Sequence, residues 1–259
     1  MIDMSMVECG FVATAPETGQ DEAMSARRHS AWALPLAVNR AGFSQQGIVD
    51  ELRRVILDGA VPPGTPIPVS EVADLFGVSP IPVRESLKTL TGEGLVAHQT
   101  NVGYAVAQLT ASELAEMYIV RETLESAALA AAVVRATDDE RAHVTRTNQL
   151  LEDAVTEDDP QTYHRQSRIF HMGLTRPSGM LRLIHMLESA WNITEPVQVM
   201  VHVEHSQRAR LHEDHGEMLD AFLARDVDRL LTTSAAHHRR LNEVVATLPV
   251  DTGLVADEH

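Results

Sequence analysis

The sequence predicts a mainly α protein: an N-terminal winged helix-turn-helix domain over residues 44–108, then a C-terminal antiparallel all-helical bundle of six to seven helices over 109–248. Three observations predict it. Between residues 45 and 108, short amphipathic segments are punctuated by Gly and Pro and end in two strand-like runs. From Thr110 onward the apolar residues recur at helical spacing behind capping residues. Aromatic residues make up 4% of the chain against 44% apolar overall, which suits helices packed on helices better than a sheet. Residues 1–43 show no sustained periodicity and read as a flexible arm carrying Arg27, Arg28 and Arg40; 249–259 reads as a tail.

In the first domain, Ile48, Leu52, Val55 and Ile56 share a helical face that stops at Asp58-Gly59. Val61-Pro62-Pro63-Gly64 must turn, because two prolines and a glycine forbid helix. Ser70 is the expected cap of a short helix bearing Val72, Ala73, Leu75 and Phe76, which Gly77 closes. Ser79 caps the next, with Pro80 at its first position, where a missing N–H costs nothing. That helix buries Val83, Leu87 and Leu90. The runs 95–97 and 104–106 flank a polar tip and read as a hairpin. Helix, turn, helix, three-residue turn, helix and hairpin make a winged helix.

In the second domain, Thr110-Ala-Ser-Glu113 and Thr137-Asp-Asp-Glu140 are capping boxes, and Asp159-Pro160 starts a third helix. The expected helices are 112–135, 138–156, 160–175, 178–195, 206–224 and 227–248. Of thirteen histidines, helical position turns three inward: His171 with Tyr163 and Phe170, His215 with Leu211 and Met218, His237 with Leu230 and Leu241. His238 is expected to rotate away, and His164, His205 and His212 stand as possible substitutes. Three imidazoles from separate helices suit a divalent metal; three core histidines around a wet or ligand-filled pocket are the alternative. Arg121 shares the inward stripe of Leu114, Met117, Leu124 and Ala128, so its guanidinium needs a partner, either Glu125 one turn away or a ligand carboxylate. Inward carboxylates are scarce, with Glu125 and Asp220 marginal.

The net charge of −16 excludes an indiscriminate nucleic-acid binder. Residues 45–108 themselves hold four basic groups against seven acidic ones, so any DNA contact rests on a few placed groups. A single cysteine, Cys9, allows no disulfide framework within one chain and suits a reducing cytoplasm. The longest apolar run, Ala127 to Val134, falls short of the roughly 18 residues of a membrane span, and the acidic start is not a secretory signal.

The run Leu75-Phe-Gly-Val-Ser-Pro-Ile-Pro-Val-Arg-Glu-Ser-Leu-Lys-Thr-Leu-Thr-Gly-Glu-Gly-Leu-Val96, with Leu57-Asp-Gly-Ala-Val-Pro-Pro-Gly64 before it, resembles the DNA-binding signature of the GntR family of transcription regulators. Tyr118-Ile-Val-Arg-Glu-Thr-Leu-Glu125, Phe170-His171 and His215-Gly-Glu-Met-Leu-Asp-Ala-Phe222 resemble, more loosely, the effector-binding FCD domain of its FadR/VanR branch. The resemblance implies a homodimer on double-stranded operator DNA, usually a repressor, that senses a small organic acid. It places Arg84 on the recognition helix against DNA, Ser79 and Ile81 at that helix's entrance, and Thr100, Asn101 and Gly103 at the wing tip. It implies metal ligands at His171, His215 and His237, zinc or nickel being the natural ions, and an effector carboxylate at Arg121. Two positions depart from the family. Pro80 stands where an arginine is usual, and Ser167 stands where an aspartate ligand is usual, leaving Ser167 to face the effector or water. Other readings of the same residues are a three-histidine metal hydrolase and a winged helix that binds protein; neither a phosphate loop nor a nucleophile elbow supports catalysis.

Overall fold

The computed structural model describes residues 31–33, 35–36, 44–248 and 252–255. Arg27, Arg28 and Arg40 lie outside them. Helix α1 (Gln45–Leu57) starts where Ser44 accepts from Gly47 N–H. Helices α2 (Val69–Phe76) and α3 (Pro80–Gly92) flank Gly77, whose φ of 67° gives the left-handed turn that a Cβ would resist. Strands β1 (Pro66–Ile67), β2 (Val96–Gln99) and β3 (Gly103–Val106) form an antiparallel sheet in the order β1-β3-β2, with Val96 opposite Val106. Ser70 does not cap α2. The helix begins two residues earlier than a Ser70 cap would set it, at Val69, behind the extended Pro68, whose carbonyl accepts from Val72 N–H.

The winged-helix core joins Ile48, Leu52, Val55 and Ile56 of α1 to Val72, Val83, Leu87, Leu90 and Val106. It also takes in Trp32 and Leu36, from the segment expected as an arm; Trp32 is fully buried and its Nε1 donates to Pro66 O at 3.0 Å. An indole hydrogen-bonded at its polar end and packed elsewhere explains the attachment.

Six long helices follow: α4 (Ala111–Arg135), α5 (Asp138–Thr156), α6 (Pro160–Thr175), α7 (Leu181–Thr194), α8 (His205–Ala224) and α9 (Val227–Val245). Both expected capping boxes form, at Thr110/Glu113 and Thr137/Glu140. Helix α9 lies between α4 and α8, and α6 packs on α5. Short 3-10 turns at Glu195–Val197 and Val199–Val201 lead from α7 toward α1 of the first domain. There Gln198 Nε2 donates to Leu57 O (3.1 Å) and Glu195 O (3.0 Å). Part of the expected tail is also packed: Leu254 joins the helical core, and Val255 N–H donates to Leu109 O at 2.9 Å. Among the described residues no helix is long and apolar enough to cross a membrane.

Candidate functional sites

The first site is the outer face of α3. Apolar spacing turns Val83, Leu87 and Leu90 inward, which leaves Ile81, Arg84, Glu85 and Lys88 on the solvent side. Ile81 is 68% exposed at the helix entrance beside Ser79 and Pro80, a large apolar side chain with nothing intramolecular to cover it. Glu85 pairs with Lys88 at 2.8 Å, not with Arg84; among the described residues Arg84 has no ion pair, so its guanidinium is uncommitted. The tip of the wing is a tight turn in which Val102 N–H donates to Gln99 O (3.1 Å). Asn101 and Gly103 adopt φ of 67° and 114°, and Thr100 is exposed beside them.

The second site lies inside the helical bundle. His171 on α6, His215 on α8 and His237 on α9 are buried, and one ligand atom from each falls within 4.8 Å of the others. Their second nitrogens meet a supporting group. His171 Nδ1–H donates to Glu125 Oε2 (2.8 Å), His237 Nδ1 faces Asp214 Oδ2 (3.5 Å), and His215 Nδ1 is 3.4 Å from the Tyr163 hydroxyl. His171 and His215 thereby point their Nε2 atoms at each other, 3.2 Å apart. Burial holds all three below the usual histidine range, His237 at about 4, so each is a neutral imidazole with a lone pair to give. Burial raises Asp214, yet hydrogen bonds from His237 and Arg240 outweigh it and hold the carboxyl at about 2. The donor set fits a divalent metal: neutral imidazoles backed by carboxylates are what such ions bind. His237 Nε2 lacks any hydrogen-bond partner, an arrangement a plain core histidine avoids.

Two residues here stand otherwise than the helical spacing predicts. His238 does not rotate away; it is 1% exposed and its Nε2–H donates to Glu125 Oε2 (3.2 Å). Because α9 is sandwiched, His237 faces α8 and His238 faces α4, so its buried arc spans adjacent residues. Glu125 is neither marginal nor the partner of Arg121. It is 1% exposed and sits between His171 and His238. Its place on the stripe 114-118-121-125-128 was the available signal. Asp220, by contrast, is exposed. His164, His205 and His212 serve elsewhere, beside Glu195, Asp158 and Glu152 respectively. Ser167, one turn before His171, is half-buried.

Arg121 is 2% exposed, as its stripe requires. Its guanidinium carbon lies 3.2 Å from the centre of the Trp191 ring and 4.4 Å from that of Tyr118. Nη1 reaches Thr194 Oγ1 at 3.4 Å, Nε has no hydrogen-bond partner, and no carboxylate among the described residues lies within ion-pair distance. Trp191 in turn packs 5.7 Å from His171, centre to centre, so Arg121 and the histidines belong to one interior.

The family model for bacterial regulatory proteins of the gntR family matches residues 44–106, and that for the FCD domain matches 116–240. The chain is 30% identical to the Nta operon transcriptional regulator of Aminobacter aminovorans over 68% of its own length and 81% of that protein's. It belongs to the GntR family. This GntR regulator is also 28% identical to the gluconate operon transcriptional repressor of Bacillus subtilis, over 66% of its own length and 69% of that protein's. Its fold matches the crystal structure of a GntR transcriptional regulator from Rhodococcus sp. RHA1 with a TM-score of 0.71 at 22% identity, covering 79% of this chain and 99% of that one. The chain is therefore a transcriptional regulator and not an enzyme, and the hydrolase reading falls away.

Proposed function

We propose that this GntR regulator is a dimeric, cytoplasmic repressor whose grip on double-stranded operator DNA is set by a small organic acid bound inside the FCD domain beside a divalent metal. Arg84 reads the major groove, where a guanidinium forks onto guanine, while Ser79 and Ile81 seat the helix entrance and Thr100, Asn101 and Gly103 let the wing approach the backbone. His171, His215 and His237 hold the metal, zinc or nickel. A bound divalent ion supplies a positive anchor for carboxylate oxygens. Arg121 takes the acid's carboxylate on its free edge, and the Ser167 hydroxyl flanks it. The repressor of the gluconate operon, a relative by sequence, carries the name of a sugar-acid operon, which agrees with this class of effector.

The reading rests on one observation: three buried, neutral imidazoles from three helices gather their ligand atoms beside a stacked arginine that has no carboxylate of its own. Effector binding biases the protein toward an arrangement with lower operator affinity, by its differential affinity for the two states. The test is fluorescence anisotropy on the DNA flanking the gene, with and without candidate organic acids. Wild type should bind and be released by one of them. Arg84→Ala should lose binding by about 10-fold or more, while Arg121→Ala should bind DNA but ignore the acid. An Arg84→Ala protein that binds the same fragment unchanged would overturn the DNA half of the reading.

A further inference from the structure

Glu125 is buried within the helical domain with no lysine or arginine within ion-pair distance among the described residues. Both of its neighbours use the same oxygen. His171 Nδ1 donates to Oε2 at 2.8 Å and His238 Nε2 at 3.2 Å, while Oε1 has no partner. A carboxylate so deep, held only by imidazole N–H groups, is stable only beside a positive charge. The positive charge that fits is the one across the His171 ring, where Nε2 joins His215 and His237. That position needs an anion as much as Glu125 needs a cation. Three neutral imidazoles around a divalent ion leave two positive charges in a buried site, and Ser167, one turn before His171, offers only a neutral hydroxyl against them.

We infer that Glu125 is the uncommitted counter-charge of the metal centre, Asp214 behind His237 being already paired by two hydrogen bonds from Arg240, and that it is delivered through His171 and steadied by His238 in place of a directly bound carboxylate. The inference rests on the metal reading above. Glu125 is a positioning residue: it fixes the His171 ring with Nε2 free, and its charge reaches the ion through the imidazole. His238 contributes the second N–H that keeps Oε2 turned toward His171. Because both donors meet at one oxygen, glutamine can present its amide oxygen at the same place and keep the hydrogen bonds while losing the charge.

The experiment titrates the metal-stripped full-length chain with Zn²⁺ in competition with a chromophoric chelator. One zinc per chain is expected in wild type, with Glu125→Gln binding about 10- to 100-fold more weakly. Adding Ser167→Asp to Glu125→Gln should regain much of that loss by placing a carboxylate one turn before His171. Several outcomes overturn the inference: Glu125→Gln within twofold of wild type, no recovery in the double variant, or two zinc ions per chain, which would make Glu125 a ligand of its own ion. If wild type binds zinc no better than His171→Ala, the metal reading itself fails and takes this inference with it. Should Glu125→Gln not fold by circular dichroism, His238→Ala tests the link alone. It removes one donor and keeps the charge, so the expected loss is smaller, about three- to tenfold, and no loss overturns the inference.

Discussion

At the residue scale the interior is tuned by burial more than by pairing. Glu195 lies beside His164 Nε2 (3.4 Å) and Arg168 (3.9 Å), at the start of the turn that leaves α7. Burial pushes its carboxyl up to about 7, against the pull of Arg168 and Arg121. The folded state thus holds this proton more tightly than the unfolded chain, whose carboxyl titrates near 4.5. The associated stability is complete below about pH 4.5 and is lost as pH rises through 7. His164 runs the other way. Burial, aided by Arg121, lowers it to about 3, so its contribution is lost as pH falls from 6.5 toward 3. Glu195→Gln should therefore gain stability relative to wild type between pH 5 and 8, read as the difference in urea midpoints at the two ends. Parallel midpoints across that range would show that Glu195 does not hold its proton in the folded state.

At the scale of elements, α3 and α4 carry the sharpest expectations. Pro80 opens α3 on the solvent side, at a position where its missing N–H costs no hydrogen bond. Pro80→Arg should tighten operator binding and steepen its salt dependence by about one in the log–log slope, the signature of one added phosphate contact. An unchanged slope would place residue 80 away from the DNA. For α4, Thr110→Ala removes the side chain that accepts from Glu113 N–H and should cost about 1 kcal/mol in chemical denaturation, with the helix otherwise intact. Much of this layer was legible in the sequence, because caps, prolines and apolar spacing act locally. The helix-turn-helix, both capping boxes and the inward His171, His215, His237 and Arg121 follow from them. The role of Glu125 and the inward turn of His238 were not legible. They depend on which helices flank α9 and on which neighbour receives a stripe residue, and one helix's periodicity carries neither fact. The packing of Trp32 was hidden for a related reason: a lone aromatic outside any periodic run gives no sign of the surface it will cover.

For the whole molecule, the segment from Thr194 to Gln198 is a short path from the interior site to a hydrogen bond on the winged domain. Its first residue touches Arg121, and its last donates to the final carbonyl of α1. A rearrangement around Arg121 therefore has only a few residues to cross before it reaches Leu57. The contact is tight at Gly59, where φ is 67° and a Cβ would stand 2.5 Å from Gln198 Cγ. Gly59→Ala should destabilise by about 1–2 kcal/mol from the left-handed backbone, and further by displacing the Gln198 side chain. Gln198→Ala should cost about 1 kcal/mol from the lost bond to Leu57 O. The double variant no longer has the clash, so its loss should fall short of the summed single losses by about 0.5–3 kcal/mol in urea unfolding. Additive losses would mean that Gln198 moves aside freely. The link would then be too soft to carry a signal from the bundle to the DNA-binding face. Strong coupling would make Gln198→Ala the variant of choice for an operator-binding regulator that still binds the proposed effector but responds to it weakly.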